Sequence, residues 1–238
     1  MSSDLSAEAL AEILPRRPVR CYPAMLSTEA DALAWARTDA PAGAVVVADY
    51  QVSARGRAGL EWTIEQGISL CFSMILRPRL APEKEGWLYT VGTSGLADVL
   101  GETATIEWPD LVLVGEAQAG AVGVQVSLGP ATTEWAVITV LVAQPKSPRP
   151  ALLARIVEAI EARSSSVPPD VLQDYLPRCR TLGQRVRARL IPMGPTGPRV
   201  TGKAVGSLTD GALVIETDEG KRIAVRPQNL GLLEKDAG

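Results

Sequence analysis

The chain has 238 residues, 46% hydrophobic and 21% charged, with a formal net charge of -3, a balance that excludes wholesale disorder and any general adhesion to nucleic acid. With no histidine at all, it has no Ser-His or Cys-His pair and no imidazole metal ligand. Cys21, Cys71 and Cys179 are odd in number and widely spaced, which suggests neither a disulfide framework nor a zinc site and fits a reducing, cytoplasmic compartment. The opening "MSSDLSAEALAEILPRRP" lacks a secretion pattern, and no run approaches membrane-spanning length, so no membrane association is expected.

In chain order, Ser27 or Thr28 caps a helix over residues 29–38, with Ala32, Leu33 and Ala36 on one face. "AGAVVVADYQV" reads as a buried strand ending near Gln51, and the loop "SARGRAGLEW" leaves it. "SLCFSMILR" is a second strand and "GWLYTVGTSGLADVLG" contains a helix. The runs 111–114, 120–128 and 134–143 read as further strands. The proline-rich "QPKSPRP" precedes the amphipathic helix "ALLARIVEAIEAR", which "SSSVPPD" breaks. From Thr181, short strands alternate with turns at "GPTG", "TDG" and "DEG", the pattern of a small β-barrel. About 55 such residues make a marginal core alone, so the barrel is expected to dock on the larger part.

"SARGRAG" places Arg55 and Arg57 around Gly56. Glycine permits close backbone approach, and two guanidiniums grip a phosphate or carboxylate bidentately. By itself such a loop is more often a solvated surface turn. In order, "ADYQVSARGRAGLEW", "SLCFSMILRP", "EWPDLVL" and "AGAVGV" resemble the stretches of the biotin protein ligase family that read as a strand ending in Gln, GRGRRGxxW, a strand ending near Arg-Pro, KWPNDL and AGIL. Ser27-Thr28 resembles that family's STN turn, and the tail from Thr181 is similar to its C-terminal SH3-like barrel. The resemblance implies an α+β fold: a mixed-sheet biotin/lipoate ligase-like domain over 1–178 and a small barrel over 179–238. Too few residues precede the Ser-Thr turn for a DNA-binding domain.

The resemblance also implies ATP, Mg²⁺ and biotin as reaction components and a biotin carrier domain as partner. Ser27, Thr28 and Gln51 are implied as contacts to biotin or a related small acid, Arg55, Gly56 and Arg57 as the phosphate-side loop, and Trp62 as the aromatic that closes it. Trp108 and Gly120 fall in its ligand-binding motifs. Singly, Ser27 and Thr28 read as helix caps, Gln51 as a strand end and Trp62 as core. Departures gather on the nucleotide side. Glu107 stands where the family has the Lys of KWPND, and Ala117 where it has the Lys before AGIL. Asp110 is either the family Asp after a deletion or a replacement of its Asn. Ala54, Ala58, Leu60 and Glu29 depart from the family loop and turn, and "VITVLVAQ" replaces a Gly-rich strand. Two readings follow: a ligase impaired by Glu107 and Ala117, in which Glu107 and Asp110 hold Mg²⁺, or a non-catalytic binding paralogue.

Overall fold

A computed structural model describes residues 4–194 and 196–236. The described residues contain five α-helices and twelve strands, and the strands form two sheets. The first sheet contains β1 (Val19–Tyr22), β2 (Val45–Ala48), β3 (Leu70–Leu76), β4 (Ala104–Glu107), β5 (Leu111–Val114), β6 (Ala117–Leu128) and β7 (Thr133–Val142), in the order β1-β2-β3-β7-β6-β5-β4. Only β1 and β2 pair in parallel, so the sheet is mixed. The second is antiparallel, with β8 (Arg185–Leu190), β9 (Arg199–Ser207), β10 (Leu213–Glu216), β11 (Arg222–Val225) and β12 (Leu230–Lys235) in the order β11-β10-β9-β8-β12. This is the expected α+β architecture with a C-terminal five-stranded unit.

The two faces of the first sheet are covered differently. On one, Phe72, Met74, Ile138 and Val140 pack beneath α3 (Trp87–Leu100) and α4 (Arg149–Ser165), with α1 (Ala7–Ile13) and α5 (Pro168–Arg178) at the margins of the same core. On the other, α2 (Thr28–Arg37) lays Ala32 and Ala36 on Val46, Ile75 and Val137. The rest of that face is covered by the loop after β2, where Ala54, Trp62 and Ile64 meet Cys71, Ala121 and Leu141. Strand alternation explains the division, because Cys71, Ser73 and Ile75 share one side while Phe72 and Met74 share the other.

Several elements differ from the sequence reading. β2 ends at Ala48, and Gln51 makes only an isolated bridge to Met25. Helix α5 forms directly from "VPPD": Pro168 and Pro169 occupy its first turn, where the missing N–H groups would have had no helical partner. The short elements α1, β1 and β4 carry too little periodicity to be read from sequence.

Candidate functional site

The face covered by α2 and the loop is polar at its centre, with Thr28, Gln51, Ser73 and Thr139 all buried. Ser73 and Thr139 lie opposite each other on β3 and β7, in a row with Val46 and Gly123. Their hydroxyl oxygens are 2.9 Å apart, and the Ser73 hydroxyl donates to Thr28 Oγ1 at 3.0 Å. Thr28 donates from its backbone N–H (2.8 Å) and its hydroxyl (3.1 Å) to Gln51 Oε1, and Gln51 Nε2 donates to the Cys71 carbonyl at 3.2 Å. Thr28 and Gln51 thus meet, both buried. Ser27 caps α2 by accepting from the Ala30 N–H. Sequence reasoning missed Ser73 and Thr139, whose signal was a single small polar residue inside each apolar strand. Burial pushes the Cys71 thiol up to about 12, so it is no nucleophile. Glu29, one residue into the helix, is also shifted upward by burial.

Trp62 folds back onto Gly56, where any Cβ would lie 2.5 Å from the indole, and Gly123 beneath leaves room for the Gly56 backbone. The missing side chains at 56 and 123 let the loop lie flat on β6. Arg55 is half exposed and ties the loop to itself through Ser53 Oγ and the Gly59 carbonyl.

Arg57 turns the other way. It is 6% exposed, its Nη1 donates to the Leu230 carbonyl at 2.6 Å, and its Nε lies 3.3 Å from Asp110 Oδ2, outside hydrogen-bonding alignment. Burial drives the Asp110 carboxyl upward in pKa, Arg57 opposes that, and Glu107 adds to it. A cavity of about 290 Å³ opens beside Arg57, walled by Tyr89, Val124, Gln125, Gln228 and Leu230, between the two sheets rather than over the Thr28–Gln51 row.

Other expected ligand positions serve different ends. Trp108 is buried; its backbone N–H donates to Thr181 Oγ1 and its indole N–H to the Gly211 carbonyl, both at 2.9 Å, so it fastens the two sheets together instead of facing a ligand. Gly120 points at the helix-covered face, where a Cβ would lie 2.8 Å from Leu96 Cδ2 and 2.7 Å from the Leu141 carbonyl. The alternate residues Ala121 and Gly123 look onto the loop-covered face in its place. Glu107 and Asp110 sense each other but each has its own guanidinium, Arg180 at 3.9 Å and Arg57 at 3.3 Å. Among the described residues no group of three His, Cys, Asp or Glu side chains is arranged to hold a metal ion. Two carboxylates already facing cations do not fit a protein-built Mg²⁺ site. Ala117 is exposed at the start of β6 and supplies no charge.

No family model matches the chain. Over 206 residues it is 29% identical to the biotin acetyl-CoA-carboxylase ligase of Mycobacterium tuberculosis, covering 75% of each protein. A 92-residue stretch, 37% of this chain, is 33% identical to the bifunctional ligase/repressor BirA of Bacillus subtilis; it spans only 28% of that relative's length. In fold it is similar to the biotin protein ligase of Aquifex aeolicus solved with biotin and ATP, at a TM-score of 0.69 and 19% identity, over 92% of this chain and 99% of that one.

Proposed function

Because the chain belongs to the biotin protein ligase family, we propose that it binds biotin or a related small acid between the sheet and the Arg55–Arg57 loop that covers it beside α2, and that its ligase reaction is strongly weakened. In that reaction a carboxylate oxygen of the acid attacks the α-phosphorus of ATP and pyrophosphate leaves. The amine of a carrier lysine then attacks the acyl carbon, loses a proton and releases AMP. The protein's part is to position the reactants and stabilise developing negative charge.

The observation that carries the weakened reading is the engagement of Arg57. Its guanidinium already faces the Asp110 carboxylate and the Leu230 carbonyl, while Glu107 and Ala117 offer no cation to replace it. One cation about 4 Å from a developing anion, at an effective dielectric near 20, contributes up to roughly 4 kcal/mol, or about three orders of magnitude in rate. Thr28 and Gln51 carry neutral donors and acceptors suited to an uncharged head group, and here they bond to each other, to Ser73 and to the Cys71 carbonyl. The similarity to the mycobacterial ligase over three quarters of its length favours the second reading, a working ligase in which Arg55 and Arg57 move onto the phosphates and ATP brings its own Mg²⁺.

Biotin-dependent exchange of pyrophosphate into ATP, run beside calorimetric titration of biotin, lipoate and octanoate, separates the two. Binding of an acid with exchange at background supports the weakened reading. Exchange at rates ordinary for an enzyme supports the second, and no binding of any acid removes both. In the weakened protein, Glu107→Lys with Ala117→Lys should raise exchange above background, because positive charge returns beside the reacting phosphate.

A further inference from the structure

β8 reads Arg-Val-Arg-Ala-Arg-Leu, and its alternation buries Val186 and Ala188 while Arg185, Arg187 and Arg189 point outward. On β9, Arg199, Thr201 and Lys203 do the same. The register sets Arg185 opposite Lys203, Arg187 opposite Thr201, and Arg189 opposite Arg199. Like charges directly opposite across a ladder destabilise a sheet unless something neutralises them. At one end this is done by the protein itself: Arg185 pairs with Asp218 at 2.7 Å and Asp236 at 3.1 Å, and Arg187 pairs with Asp236 at 2.7 Å. At the other end Arg189 has only Glu234 at 3.9 Å, and Arg199 pairs with no carboxylate among the described residues.

The under-neutralised end borders a cavity of about 210 Å³ lined by Arg187, Arg189, Arg199, Met193, Pro198 and Glu234. We propose that this cavity binds a compact phosphate-type oxyanion, held between the guanidiniums of Arg189 and Arg199. Guanidinium forks match phosphate oxygens bidentately, and an anion there relieves the cross-strand repulsion that Glu234 only partly offsets. A long polyanion fits less well, since running along the strands would bring it against Asp218 and Asp236. The site lies on the outer face of the C-terminal sheet, and its existence does not depend on the ligase reading; the Arg55 variant separates it from any pyrophosphate held at the ligase site.

Calorimetric titration with inorganic pyrophosphate tests it, using the whole chain with folding monitored by circular dichroism. Wild type should bind about one equivalent saturably. Arg199→Gln and Arg189→Gln should each weaken binding by about tenfold or more, while Arg185→Gln, at the neutralised end, and Arg55→Gln, in the loop over the other sheet, leave it unchanged. Absence of pyrophosphate binding overturns the proposal. So does an equal loss in Arg185→Gln, which would mean a diffuse field, or a loss that follows Arg55, which would put the anion on the other sheet. Binding of heparin without pyrophosphate overturns it as well.

Discussion

Removing the Arg57 guanidinium leaves the Asp110 carboxylate buried with no cation beside it and the Leu230 carbonyl without its donor. Breaking a buried pair from one side costs about 3 kcal/mol or more, so Arg57→Ala should be clearly destabilised in urea at neutral pH. The pH dependence has a definite sign. Asp110 holds its proton more tightly folded than unfolded, so its contribution favours folding fully below the ordinary aspartate range and is lost as pH rises through the raised folded value. Without Arg57 that rise is larger, so the deficit of Arg57→Ala should shrink from neutral pH towards about pH 4, and Asp110→Asn in the same chain should recover part of it at neutral pH. A deficit independent of pH would mean that Asp110 is not the group left exposed to the loss. Sequence placed Arg57 in a glycine-spaced loop, a position open to solvent or ligand. It could not show the carbonyl of Leu230, 173 residues away, because a contact at that separation has no local pattern.

At the level of elements, the loop and β6 fit because side chains are missing where they cross. Gly56→Ala would drive a Cβ into the Trp62 indole, and relief requires the loop to lift. The expected cost is about 1–3 kcal/mol, read as faster hydrogen exchange over residues 53–62 with the exchange of β7 little changed. Gly120→Ala should act on the opposite face: its Cβ meets Leu96 and the rigid Leu141 carbonyl, so the same range of destabilisation should appear in global unfolding, with the loop's exchange unaffected relative to the rest. Long apolar runs announced β3, β6 and β7, and the spacing of "ALLARIVEAIEAR" announced α4. Which face of β6 meets the ligand side was not legible, since its buried stretch Gly120–Gly123 is apolar and covered on both sides; the register with β7 and the packing on α3 decide it. The prolines after α4 end it as read, and the same residues open α5, which the sequence did not announce, because a breaker inside a helix and a starter at its first turn are the same residue seen in different frames.

For the molecule as a whole, the C-terminal sheet joins the larger one in a shared apolar core, and three polar or close-packed contacts stand out among those that bind them. Arg57 reaches β12, Trp108 reaches Gly211, and Gly211 packs so closely on Gly86 that no Cβ fits between them. The five-stranded unit is small, and burying its flank this way supplies core that its own strands lack. Heating should therefore give one transition by near-ultraviolet and far-ultraviolet circular dichroism alike. Trp108→Phe leaves the Gly211 carbonyl buried without a donor at a cost of about 1–3 kcal/mol, and should lower the midpoint of both signals together. Two separated transitions in the wild type would show that the units fold independently. The appended character of the tail was visible in its change of texture near Thr181, but the fastening was not: in "EWPDLVL" the tryptophan reads as part of a ligand motif, and only its partner in the tail shows what it does.

The hydrogen bonds beneath α2 run in a single direction. The Thr28 N–H can only donate and the Cys71 carbonyl can only accept, so the Gln51 amide has one permitted orientation, with Oε1 towards Thr28 and Nε2 towards Cys71. Thr28 spends its hydroxyl proton on Gln51, Ser73 spends its own on Thr28, and the shared Ser73–Thr139 contact must then take its proton from Thr139. The series works as a rectifier: each proton faces the same way, and reversal at one link would oblige every other to reverse against two fixed ends. Replacing Thr28 with valine would therefore be felt at Thr139, whose hydroxyl would lose its imposed heading although nothing has touched it.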